Sequence, residues 1–281
     1  MTWGTVWPAP AKLNLMLRVL GRRPDGYHRL QTVFQFLDYG DDLWFRLRRD
    51  GQIRRANPIP GVPAESDLVV RAAKRLQAHS DTGWGAEIGI HKRLPLGAGL
   101  GGGSSDAATA LVALNQLWGT GFSLDQLAEI GLSLGADVPV FVHGHAAWAE
   151  GIGEKLTPMP ALPEPWYLVL SPACQVSTAA VFADPSLTRD SPEITIKRFM
   201  SGDVRNDCLA VVRHRYPQVA EALDWLAQHG QARLTGTGAC VFAAFPGRSQ
   251  ARAVLAQVPD GIRAFIARGM NRSPLGEMQG N

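Results

Sequence analysis

The chain has 281 residues, 46% of them hydrophobic and 19% charged, a globular balance that excludes extended disorder and leaves room for two domains. A net charge of +3 from 28 basic and 25 acidic residues is too small to imply a nucleic-acid partner. No apolar run nears the roughly 20 residues of a membrane-spanning helix. Met1-Thr2-Trp3 opens without a cationic stretch, and Cys174, Cys208 and Cys240 are too scattered for a disulfide framework or zinc, so a cytoplasmic protein is expected.

In chain order, Ala11 to Val19 alternates Leu13, Leu15 and Leu17 with Lys12, Asn14, Met16 and Arg18, which predicts a half-buried strand with one polar face. Pro24-Asp25-Gly26 predicts a turn, and Leu30 to Leu37 a second strand. Arg46, Arg48, Arg49, Arg54 and Arg55 lie on either side of Asp50-Gly51 without interleaved aromatics. They read as two solvated edge strands joined by a hairpin, not as an RNA-binding patch. Ser66 to His79 has helical spacing, and Ala86, Ile88 and Ile90 alternate as a strand that ends at Pro95.

Residues Pro95-Leu96-Gly97-Ala98-Gly99-Leu100-Gly101-Gly102-Gly103-Ser104-Ser105 follow, directly before an amphipathic helix carried by Ala107, Ala110, Leu111, Leu114 and Leu117. Ser104 or Ser105 is expected to cap that helix. Without Cβ atoms, the loop can bring successive amides around an oxyanion, and the helix adds the positive end of its dipole. No Gly-Lys-Ser or Gly-Lys-Thr closes the loop, so it is not a Walker A motif. Gly97, Gly99 and Gly102 do fit a dinucleotide pattern. An acidic residue about 20 positions on would have to end a second strand, however, and Asp125 sits at a helix start.

Ser123 with Gln126 forms a capping-box pattern for a second helix, which Gly135 could close in the left-handed conformation. Asp137 then stands between a helix end and an apolar run read as a buried strand, with His143 and His145 alternating further along it. A carboxylate there must cap, pair or function. The glycine loop has no lysine of its own, and Lys12 on the polar strand face beside Asn14 is the candidate cation, with an exposed strand lysine as the plain alternative. A Lys12–Asp137 pair would satisfy both groups.

Pro158, Pro160, Pro163 and Pro165 crowd the segment Thr157 to Pro165, where the domain boundary is placed: residues 1–158 before it and 159–281 after. A strand at Trp166 to Leu170, helices around Asn206 to Val212 and Ala220 to His229, a strand at Cys240 to Phe245, a helix near Ala251 to Gln257 and a last short strand follow. A second glycine cluster, Thr235-Gly236-Thr237-Gly238, could close over the same phosphates. No zinc-ligand spacing and no Gly-x-Ser-x-Gly elbow is present.

Together, Pro-Ala-Lys-Leu-Asn-Leu at 10–15, Arg-Pro-Asp-Gly-Tyr-His at 23–28, the loop 97–105, Leu-Gly-Ala-Asp-Val-Pro at 134–139 and Leu-Thr-Gly-Thr-Gly-Ala-Cys-Val-Phe at 234–242 resemble the GHMP kinase superfamily. Within it, they are similar to the branch that phosphorylates the 2-hydroxyl of a cytidyl-linked methylerythritol on the non-mevalonate route to isoprenoids. The resemblance implies an α+β two-domain fold: an N-terminal domain like domain 2 of ribosomal protein S5 and a ferredoxin-like C-terminal domain. It implies ATP as phosphoryl donor with Mg²⁺, Lys12 and Asp137 as the catalytic pair, and Pro95 to Ser105 around the ATP phosphates. Tyr27 and His28 would hold the cytosine with Phe182 as the opposite plate, and Asn14 and Thr178 would touch the same substrate. Asp67 stands where many relatives carry an asparagine near the adenine. Kinases of homoserine or mevalonate are the alternative within the superfamily; an RNA-binding module and a dinucleotide oxidoreductase are those outside it.

Overall fold

The structure, a computed structural model, describes residues 4–279, so the opening Met1–Trp3 read for a leader lies outside the described residues. The first half begins with two long antiparallel strands, β1 (Trp7–Arg22) and β2 (His28–Arg48), joined by the Pro24–Gly26 turn. After a short β3 (Ile53–Arg55) come helix α1 (Leu68–Ser80), strand β4 (Gly85–His91) and helix α2 (Gly102–Trp118). Helices α3 (Leu124–Leu132) and α4 (Val138–His143) precede strands β5 (Ala147–Glu150) and β6 (Lys155–Pro158). The second half runs β7 (Trp166–Ser171), α5 (Thr178–Ala183), α6 (Ile196–Met200), α7 (Leu209–Arg215), α8 (Pro217–Ala227), β8 (Arg233–Leu234), β9 (Val241–Phe245), α9 (Arg248–Leu255) and β10 (Arg263–Met270).

The mixed α+β architecture expected from the sequence is present. One continuous sheet runs in the order β3-β4-β2-β10-β7-β9-β8, and the two halves meet where Gly269 and Met270 of β10 pair with Leu37 and Phe36 of β2. Helices α1 to α4 bury one apolar core against the first half of the sheet, around Phe36, Ile88, Leu111 and Phe141. A second core around Leu168, Val211, Leu223 and Val241 lies under α7 to α9 and takes in Leu17 and Val19 of β1. The three cysteines are free thiols, and burial pushes that of Cys240 up to about 12.

Several local expectations change. Arg46 to Arg55 do not form a hairpin of neighbouring strands: β4 lies between β2 and β3, and β3 pairs with it in parallel. The arginines before the turn are a solvated face, with Arg48 on Asp50, whereas the Arg55 side chain is buried on Asp67 (2.7 Å). The α3 capping box forms as read, yet the helix ends through Ser133 in a right-handed conformation, and Gly135 is not left-handed. Residues 138–143, read as a strand, are helix α4 with Pro139 in its first turn, where a missing N–H costs nothing. A run of five apolar residues has no periodicity to separate the two readings, and burial against α2 and α3 decides for the helix. His143 therefore sits on a helix.

Candidate active site

The β1 register shifts between Pro10 and Lys12 and again between Asn14 and Met16. Such bulges turn side chains out of the regular alternation, and here Lys12 and Asn14 both line a cleft of ≈ 900 Å³. The Lys12 ammonium, 3% exposed, donates to Asn14 Oδ1 at 2.5 Å and to the Gly99 carbonyl at 3.1 Å, and forms an ion pair with Asp137 Oδ2 at 3.3 Å. It also lies 5.3 Å from the centre of the Phe34 ring. A buried ammonium is tolerated only when it is so satisfied.

Asp137 is the residue before α4, and its side chain remains 33% exposed toward the cleft while it faces Lys12. Asn14 is fixed from both sides: its amide group donates to Thr32 Oγ1 (2.8 Å), and its backbone N–H donates to Thr235 Oγ1 (3.0 Å). Thr235 in turn donates to the Gly99 carbonyl at 3.1 Å.

The glycine loop enters α2 through Gly101, which is left-handed and caps the helix without a side chain, so neither Ser104 nor Ser105 is the cap. The first i→i−4 bond runs from the Ser105 N–H to the Gly101 carbonyl (2.8 Å). The amides of Gly102, Gly103 and Ser104 precede it and are left for a ligand. A Cβ on Gly99 would stand 2.3 Å from the Thr235 carbonyl, and one on Gly101 would stand 2.8 Å from the Phe141 ring and 3.1 Å from Lys12 Cε. Both positions have positive φ and leave no room for a side chain. The loop is also pinned by the Cys240 N–H on the Ala98 carbonyl at 3.1 Å. Of the loop residues read as phosphate-binding, Pro95, Leu96, Gly97, Ala98, Gly99, Gly101, Gly102, Gly103 and Ser104 line the cleft. Leu100 and Ser105 point into the core, although the Leu100 carbonyl accepts from the Lys12 N–H at 2.9 Å.

At the other end of the cleft, Tyr27 is 60% exposed on its turn, and His28 is buried at the start of β2. The His28 ring stacks on Phe182 of α5, with centroids 5.0 Å apart and planes 26° apart. Its pKa is lowered, first by burial and then by the charges of Arg189 and Arg22. Thr178 shares a hydrogen bond with Thr237 at 2.9 Å, and Gly236 and Thr237 from the second glycine cluster line the cleft as well. Asp67 is not at the cleft. One carboxylate oxygen caps α1 at the Val69 N–H (3.0 Å), and the other accepts from Arg55 (2.7 Å).

Sequence reasoning did not find Lys92, at the end of β4, which lines the cleft beside Gly102. Its ammonium bridges Asp41 and Asp106, the latter at 2.8 Å. Burial pushes the Asp106 carboxyl up, against the opposing pull of Lys92, and one of its oxygens has no partner. The three residues are far apart in sequence, so no spacing signal marks them. Among the described residues, no three His, Cys, Asp or Glu side chains gather as a metal site. Ser104 Oγ does lie beside the Gly135–Asp137 turn, so a hydroxyl and a carboxylate flank the mouth of the loop.

Comparison with known proteins matches residues 67–145 to the GHMP kinases N terminal domain and 193–263 to the GHMP kinases C terminal domain. The chain is 58% identical over 277 residues to the 4-diphosphocytidyl-2-C-methyl-D-erythritol kinase of Halorhodospira halophila, covering 98% of this chain and 96% of that one. It is 59% identical over 270 residues to the enzyme of the same name from Nitrosococcus oceani, covering 96% of each. A crystal structure of 4-(cytidine 5'-diphospho)-2C-methyl-D-erythritol kinase superposes with a TM-score of 0.82 at 30% identity, over 95% of this chain and 99% of that one. The mevalonate kinase of Methanococcus jannaschii, at TM-score 0.69 and 15% identity over 95% of this chain and 98% of its own, shares the fold.

Proposed function

We infer the function from one premise: the chain belongs to the family of 4-diphosphocytidyl-2-C-methyl-D-erythritol kinases, a branch of the GHMP kinases. It is an ATP-dependent kinase of the non-mevalonate isoprenoid pathway, and the reaction proposed for it is transfer of the γ-phosphoryl group to the 2-hydroxyl of the cytidyl alcohol. The observation that carries this reading is that one cleft holds the Lys12–Asp137 pair beside an amide-lined loop at one end and the His28–Phe182 stack at the other.

In the proposed mechanism, the amides of Gly102, Gly103 and Ser104 hold the phosphate tail in line with the acceptor. As the acceptor oxygen bonds to the γ-phosphorus, the bond to the β,γ-bridging oxygen breaks and ADP leaves with that electron pair. The hydroxyl proton passes to the Asp137 carboxylate, and Lys12 offsets the charge that develops on the acceptor oxygen. Asn14 and Thr235 keep the ammonium aimed. Tyr27, His28 and Phe182 receive the cytosine, and Thr178 the adjoining part of the substrate. The Asp137 carboxylate and Ser104 hydroxyl are hard oxygen donors that suit an Mg²⁺ arriving with ATP, whose chemistry would be to offset phosphate charge.

The division into residues 1–158 and 159–281 is supported by the two family matches falling on either side of it. A cytoplasmic location is supported by the free thiols, and among the described residues no helix is long and apolar enough to cross a membrane. A coupled ADP-release assay with the cytidyl alcohol, homoserine and mevalonate as separate acceptors tests the reading. Turnover should require the cytidyl alcohol, and equal rates with either of the others would overturn it.

A further inference from the structure

Arg189, in the segment after α5, has no part in the reaction described above, yet four of its five N–H groups are engaged. Its Nη2 donates to the carbonyls of Phe182 (2.7 Å) and Asp184 (2.8 Å), and Nη1 to that of Leu187 (3.1 Å). These three bonds bind Arg189 to the end of the helix that carries Phe182 and to the turn after it. A fourth donor, Nε, meets His28 Nε2 at 3.2 Å.

That last contact has only one chemically sensible form. A guanidinium stays charged and can only donate, so His28 Nε2 must present a lone pair. The imidazole is then neutral with its proton on Nδ1. Burial and the charges of Arg189 and Arg22 act in the same direction, since all three disfavour an imidazolium. Among the described residues Nδ1 has no hydrogen-bond partner, and the ring lines the cleft. The pocket therefore offers a donor at that nitrogen. Cytosine presents acceptors at N3 and O2; uracil keeps the O2 acceptor but carries a hydrogen at N3, so a base whose N3 faces Nδ1 is accepted as cytosine and, as uracil, sets a donor against a donor.

We propose that Arg189 is a positioning residue that sets base specificity: by holding His28 as the Nδ1–H tautomer, it makes the pocket select a cytosine over a uracil. This rests on the cytidyl-kinase reading. Removing Arg189 frees the imidazole to move its proton to Nε2 and accept from uracil N3–H, so discrimination falls because the wrong base is no longer left with an unpaired donor.

Two measurements test this. ¹⁵N NMR of the His28 ring in the ligand-free protein at neutral pH should show a pyrrole-type Nδ1 and a pyridine-type Nε2; the opposite tautomer or an imidazolium would overturn the proposal. Steady-state kinetics should then compare the cytidine- and uridine-diphospho alcohols in the native protein, Arg189→Met and Arg189→Lys. The ratio of kcat/KM values should fall at least tenfold in Arg189→Met, and Arg189→Lys, which keeps a cation that only donates, should retain most of it. A role confined to bracing α5 would lower both kcat/KM values together, and an unchanged ratio would sink the proposal while leaving the kinase reading intact. No turnover of the cytidyl alcohol by the native protein would remove the reading and the proposal together.

Discussion

Two lysines flank the glycine loop, and the protein treats them differently. Lys12 approaches from β1, with its Cε against Gly101; Lys92 approaches from the end of β4, with its Nζ against Gly102. Each is buried and each meets carboxylate. Lys12 has one carboxylate partner, Asp137, itself 33% exposed to the cleft. Lys92 sits between two, Asp41 and Asp106, which are 0% and 5% exposed. A carboxylate that borders the cleft can exchange a proton with a ligand, and one that is sealed in can only hold its neighbour in place. The first pair has the arrangement of an acid–base device, and the second that of a brace at the root of α2.

Five substitutions probe that difference. Asp137→Asn should lower kcat by about 10²–10⁴-fold with little change in ATP affinity, the range for losing a positioned proton acceptor; unaltered turnover would make the two pairs equivalent. Lys92→Met should instead act on stability, by about 3–5 kcal/mol in chemical denaturation, because it leaves the buried Asp41 carboxylate without its cation.

The loop separates the two lysines by geometry alone. Gly101→Ala forces a left-handed residue against the Phe141 ring and Lys12, and should raise the KM for ATP by about tenfold through a backbone cost of about 1–2 kcal/mol. Gly102→Ala meets Leu94 at 3.2 Å in a helical residue and should change it by less than about threefold.

A separate effect is expected in the pH profile. The Asp106 carboxyl is pushed up to about 8, so between the ordinary carboxylate range and that value the folded chain keeps a proton that the unfolded chain has released. Stability must therefore fall as pH rises through that window, and Asp106→Asn should flatten the fall in a series of melting temperatures. A profile as steep as the native one would show that another group carries it.

The sequence made the local features legible and left the distant ones hidden. The run of loop glycines and the Ser123–Gln126 capping box are written within a few residues and form where they were expected; the alternation around Lys12 does mark a strand, but one buried on both faces instead of half-buried, because the cleft wall and the second half of the molecule cover its polar side. Helix α4 was misread because five apolar residues fit either period, and only their packing on α2 and α3 settles it. The parallel pairing of β3 with β4 crosses over through α1, and no turn signal announces it. In the site, Lys12 and Asp137 could be paired in advance because two otherwise unsatisfied charges needed partners. Lys92, Asp41 and Asp106 could not, since a lysine at a strand end is ordinarily a solvated one. Arg189 gave no signal at all, its four partners being main-chain carbonyls and a ring nitrogen 161 positions away.

The bond between Thr235 and Gly99 spans 136 residues, and the Cys240–Ala98 bond is longer still in sequence. During synthesis, then, the anion cradle near residue 100 lacks these two fastenings until the ribosome has released the stretch around residue 240. A nascent chain bearing the complete N-terminal family match should hold nucleotide more weakly than the finished protein; the full grip arrives late in translation, with the last strands.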